Sequence, residues 1–207
     1  MTSDYKRDIS CLRKNKLVYL RTLKAGSEFF YRNFKEAGWF EVSFDSINWD
    51  NEIAFSYIMD PVQRRHKGIS EILISTETRD LLLQNVGNFY RLLKLIPFLD
   101  AHSASLHNIY GPHVRKINWL LMTNDHSVAI KETERFLTQH GVEVPQWNVD
   151  YTHATGSYMS EVYVRVKELW ENNPDIDDTV RNYFQTDIEL YNEIKEAYDR
   201  NNNSQHS

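Results

Sequence analysis

The stretch that most restricts what this chain can become is Leu17-Val18-Tyr19-Leu20-Arg21-Thr22-Leu23-Lys24-Ala25-Gly26-Ser27-Glu28-Phe29-Phe30. The apolar run over Lys16–Leu23 reads as a buried strand, and a tight Lys-Ala-Gly-Ser turn follows it. Phe29, Phe30, Phe34 and Ala37 then recur at helical spacing, so a helix is expected over Ser27–Gly38, with Gly38 as its stop. A strand running through a turn into a helix presents unpaired N–H groups and the positive end of the helix dipole. That arrangement suits a phosphate or sulfate. Gly26 lets the backbone approach an anion closely, and Lys24 adds a point charge.

Length and composition narrow the class. A chain of 207 residues favours one domain with a substantial core. The formal net charge of −5 gives no reason to expect a nucleic-acid partner. One cysteine, Cys11, excludes an intramolecular disulfide framework and fits a reducing compartment. No apolar run approaches the roughly 20 residues of a membrane span, and Met1–Lys16 is polar, without the apolar core of a signal peptide. The expectation is a cytoplasmic protein with no membrane association. A loose leader is expected over 1–15, a single domain over 16–200 and a disordered tail over 201–207.

Strands and helices alternate along the chain. Further strands are expected at Trp39–Ser43, Ile53–Met59 and Lys116–Met122. Asp60 suits a helix N-cap and Pro61 a first helical turn, opening a helix over Val62–Leu73. Further helices are expected over Asp80–Leu95, Ser127–Gln139, Glu161–Glu171 and Asp177–Arg200, with Ala101–Val114 loop-like and Val142–Tyr158 irregular. The pattern predicts an α/β fold, three layers deep, with a central, mainly parallel sheet flanked by helices.

Four segments together resemble the sulfotransferase family, in particular its carbohydrate 2-O-sulfotransferase type. They are Leu20–Ser27, Tyr57-Ile58-Met59-Asp60-Pro61-Val62-Gln63-Arg64, Asp100-Ala101-His102, and Tyr183–Tyr191. The resemblance implies a P-loop-like sulfotransferase architecture and a donor, 3′-phosphoadenosine 5′-phosphosulfate, whose sulfuryl group passes to an acceptor hydroxyl, such as one on a carbohydrate. It implies that Lys24 is the main electrostatic catalyst, and that Ala25, Gly26 and Ser27 cradle the 5′-phosphosulfate. In the family, an arginine before Asp-Pro and a serine farther along the helix bind the 3′-phosphate. Here those positions hold Met59 and Lys67. Lys67, Arg64 and Ser70 are therefore the candidates for that phosphate. Glu28 stands where the family usually has a hydroxyl residue. The closing Tyr183–Tyr191 helix is a packing signature.

The acceptor must lose its proton as it attacks, and Asp45 and His102 are the candidates for general base. Asp45, beside Ser46 and Asn48, also reads as an ordinary turn residue. Arg65 and His66 read as surface members of the basic run Arg64–Lys67. The histidines lack the spacing of a zinc site, and no metal is expected. The turn lacks the Gly-Lys-Ser/Thr ending of a nucleotide triphosphatase. Two other readings stay open beside a sulfotransferase-like enzyme. One is a binding protein that has kept the fold and lost the chemistry. The other is a transferase for another phosphorylated ligand.

Overall fold

The chain opens on a hairpin, β1 (Cys11–Lys14) and β2 (Leu17–Leu20), joined at Asn15 and Lys16. Asn15 takes a left-handed φ of 57°, as a two-residue hairpin turn requires. This computed structural model describes residues 9–74, 87–88, 91, 104–123, 126–151 and 157–203. α1 (Ser27–Glu36), β3 (Phe40–Val42), β4 (Ile53–Ile58) and α2 (Pro61–Ile74) follow. Then come α3 (Leu106–Tyr110), β5 (Asn118–Leu121) and α4 (His126–Gln139). α5 (Ser157–Glu171), α6 (Pro174–Tyr183) and α7 (Gln185–Asn203) close the described chain.

The five strands form one mixed sheet in the order β3-β1-β2-β4-β5. β2, β4 and β5 pair in parallel, whereas β1 is antiparallel to both its neighbours. The α/β class is as expected, but the sheet is less uniformly parallel. The reason is β1, which falls in the stretch expected to be a loose leader. Cys11 and Leu12 are fully buried on opposite faces of the sheet. Arg13 and Lys14 lay their stems along it while their heads reach the Ser46 carbonyl and Glu52, and the Ala37 carbonyl.

Alternation along β2 and β4 sends side chains to two separate cores. Leu17, Tyr19, Phe55 and Tyr57 meet α1 and α4 on one face, where Phe29, Phe30 and Phe34 are buried. Full burial of each phenylalanine contributes about 2–3 kcal/mol, and Phe30 stacks on Tyr57 with ring centroids 3.9 Å apart. Val18, Leu20, Ala54 and Ile58 meet α3 and α7 on the other face. A third cluster joins Ile69 and Leu73 of α2 to α5 and α6.

The stretch expected to be a loop over Ala101–Val114 contains α3 and a 3-10 turn over Gly111–Lys116, and Ser105 caps α3 by accepting from the Asn108 N–H. The helix expected over Asp177–Arg200 is two helices, broken at Phe184. α7 runs on through Asn203, into the stretch expected to be a disordered tail. The helix expected over Asp80–Leu95 lies almost wholly outside the described residues. No described helix is long and apolar enough to cross a membrane.

Candidate functional site

The turn between β2 and α1 is held from beneath by hydroxyl groups. Ser56 Oγ donates to the Leu20 carbonyl at 2.6 Å. Its proton is thereby spent, so Ser56 accepts from Thr22 Oγ1 at 2.7 Å, and Thr22 in turn accepts from Tyr110 Oη at 2.6 Å. Burial pushes the Tyr110 hydroxyl up to about 12, so it stays a donor. This chain ties the first residue of the turn to β4 and α3. Sequence reasoning missed it. The available signal was a serine at an inward position of an apolar strand.

Beyond Thr22, Lys24 and Gly26 both adopt left-handed backbone, with φ of 67° and 66°. The Ala25 N–H closes the turn on the Thr22 carbonyl at 3.3 Å, so it is committed there rather than offered to a ligand. Gly26 is the N-cap of α1, and no side chain caps that end of the helix. A left-handed residue followed by right-handed Ser27 aims successive N–H groups to one side, which forms a concave anion-binding arrangement. Gly26 also lies close to the flexible end of a side chain. A Cβ there would stand 2.5 Å from Cε of Met122. That side of the turn is therefore closed by an apolar side chain.

The Lys24 ammonium is ion-paired with the Glu71 carboxylate of α2, and both side chains keep partial exposure, 20% and 38%. Glu28 is paired with Arg21 and Arg32, each at 2.5 Å. These guanidiniums offset the Glu28 carboxylate in the first turn of α1.

Asp60 caps α2 as expected. Its Oδ1 accepts from the N–H groups of Val62 and Gln63 at 2.9 and 3.0 Å. Met59, which stands in place of the family's arginine, and the three candidates for the 3′-phosphate have diverse positions. Met59 is 2% exposed and packs in the apolar cluster with Phe30, Tyr57 and Met122. Arg64 is buried; it donates to the Ala104 carbonyl and lies 3.9 Å from Asp187. Burial pulls its guanidinium below the ordinary range and Asp187 opposes that pull. Asp187 also accepts from the Leu106 N–H at 2.7 Å. Arg64 thus braces the fold. Ser70 is buried and its hydroxyl turns back to the His66 carbonyl at 2.7 Å. Lys67 is half-buried, and burial lowers its ammonium below the ordinary value.

Arg65 and His66, expected at the surface, are both buried. α5 and α6 cover that side of α2. The Arg65 guanidinium lies 5.4 Å from the centre of the Phe184 ring, and the His66 ring lies 4.1 Å from that of Trp170. Of the two base candidates, Asp45 is exposed in a 3-10 turn over Phe44–Ser46, where its N–H donates to Ser43 Oγ. His102 lies outside the described residues. Among the described residues, no group of three or more histidine, cysteine, aspartate or glutamate side chains is gathered to hold a metal. Two surface depressions, one beside Lys14 and Pro145 and one on α5 beside Val164, include no residue of the turn.

Comparison of the chain with models of protein families, with curated proteins and with solved structures returned no match.

Proposed function

We propose that the chain is a sulfotransferase-like protein that binds 3′-phosphoadenosine 5′-phosphosulfate at the Thr22–Ser27 turn and passes its sulfuryl group to an acceptor hydroxyl. One observation carries this reading: a turn with left-handed Lys24 and Gly26 leads into a helix end that no side chain caps, with a lysine ammonium on the same turn. In the transfer, the acceptor oxygen bonds to sulfur as the sulfur–oxygen bond to the phosphate breaks, and the acceptor's proton passes to solvent. Negative charge then grows on the leaving phosphate, where the Gly26 and Ser27 amides, the α1 dipole and Lys24 stabilise it. Lys67 supplies the cation for the 3′-phosphate.

Calorimetry with 3′-phosphoadenosine 5′-phosphate tests this. The wild-type chain is expected to bind, and Lys24→Ala to lose at least about tenfold in affinity, or about 1.4 kcal/mol. The partly exposed Lys24–Glu71 pair adds little to stability, so the variant folds. Absence of binding at millimolar nucleotide overturns the proposal.

A second reading has its own support. Met59 is core, Arg64 is committed to Ala104 and Asp187, and Ser70 is turned to its own helix. A binding protein that keeps the turn and has lost transfer fits these facts. Nucleotide binding without sulfuryl transfer to any tested hydroxyl would select it.

A further inference from the structure

Lys24 is the cation of the turn, and its partner comes from a different element. Glu71 lies in the third turn of α2, far from Lys24 in sequence, and its carboxylate makes an ion pair with the Lys24 ammonium. A carboxylate is an oxyanion of the same charge sign and hydrogen-bonding character as one face of a phosphate or sulfate.

Lys67 adds a second observation. It stands four residues before Glu71, hence on the same face of α2. An i,i+4 pair was open to these two residues. Among the described residues Lys67 nonetheless has no ion pair, while Glu71 reaches across to Lys24. Half-buried Lys67 thus stands one helical turn before the residue whose carboxylate pairs with Lys24. The Glu71 carboxylate is carried on a partly exposed side chain that can swing away.

Building on the proposed function, we propose that Glu71 is an internal stand-in for the ligand: its carboxylate occupies Lys24 in the empty protein and is displaced by the phosphosulfate end of the nucleotide. The consequence is selective. A ligand that offers Lys24 only one weak contact does not displace Glu71. A ligand with two anionic groups engages Lys24 and Lys67 together and offsets the lost pair. Free sulfate and phosphate are therefore held off the turn, and the doubly phosphorylated nucleotide is admitted.

Affinity for 3′-phosphoadenosine 5′-phosphate, measured by calorimetry on the full chain carrying Glu71→Gln or Glu71→Asp, tests this. Both variants alter a partly exposed side chain, and their thermal midpoints check that they fold. Glu71→Gln removes the competing charge and is expected to bind about tenfold tighter than wild type. Glu71→Asp keeps the charge within ion-pair reach of Lys24, and is expected to bind as the wild type does. Inorganic sulfate, weak with the wild type, is expected to gain at least as much with Glu71→Gln. If the wild type binds and Glu71→Gln binds equally or less tightly, the displacement is refuted while the nucleotide site stands. If Glu71→Asp gains as much as Glu71→Gln, the carboxylate charge is not what holds Lys24, and displacement is again refuted. If wild type and variants all fail to bind at millimolar nucleotide, the site and the displacement fall together.

Discussion

Met59 holds the position at which the resemblance implies a phosphate-binding arginine, and its surroundings explain why a methionine suits it. It is 2% exposed, among Phe30, Tyr57 and Met122. A flexible thioether fills such a gap, whereas a guanidinium there has no counter-ion. Met59→Arg is therefore expected to cost at least about 3 kcal/mol, and Met59→Leu less than about 1.5 kcal/mol. Urea unfolding of both variants checks this. A Met59→Arg protein with the wild-type midpoint and tighter nucleotide binding would instead place the residue at the ligand. At this scale the sequence was readable where one residue does one local thing. Asp60 could be read because an N-cap is a local bond. Glu71 could not be read, and Ser56 showed only as a serine at an inward strand position. Their roles depend on Lys24 and Thr22, and only the folded chain sets those partners beside them.

The elements repeat the lesson through α2. Its run Arg64-Arg65-His66-Lys67 looks like a solvated face, and α2 would have one if it were covered on one side only. It is covered on two. Asp187 and Ala104 meet Arg64, while α5 and α6 meet Arg65 and His66. β1 misleads in the same way. Its arginine and lysine read as leader, although their stems line the sheet. The break between α6 and α7 carries no glycine or proline to announce it. His66 makes the burial of α2 measurable. Desolvation pushes its imidazole down from 6.5 to about 4, against the pull of Glu171, Asp177 and Asp60 and with a small push from Lys167. The folded chain holds His66 neutral, whereas the unfolded chain takes up a proton below about pH 6.5. Stability from this group is complete above that pH and is lost as pH falls toward 4, by up to about 3 kcal/mol. Urea midpoints at pH 7.5 and 4.5 are expected to differ less for His66→Gln than for wild type. Equal acid sensitivity in the two proteins would refute the assignment.

Across the whole molecule, the candidate site is supported by a contact made late in the chain. Asp187 of α7 is fully buried and faces Arg64 of α2, while its carboxylate also takes the Leu106 N–H at the start of α3. One side chain thereby ties three elements together, and α2 is the element that carries Lys67 and Glu71. The pair is a brace whose members depend on each other. Asp187→Ala leaves a buried guanidinium without its counter-charge and a buried amide without an acceptor, so a loss of about 3–5 kcal/mol is expected. Replacing both charges by apolar groups, Arg64→Met with Asp187→Leu, removes the uncompensated ion. That double variant is expected to recover most of the loss, with about 1–2 kcal/mol still missing because the Leu106 amide and the Ala104 carbonyl stay unpaired. Guanidinium unfolding of the two single variants and the double variant measures the coupling. If the double variant is as unstable as the sum of its singles, Arg64 and Asp187 act independently. The 3.9 Å between them would then be mere proximity, and α2 would owe its position to apolar packing against α5 and α6 alone.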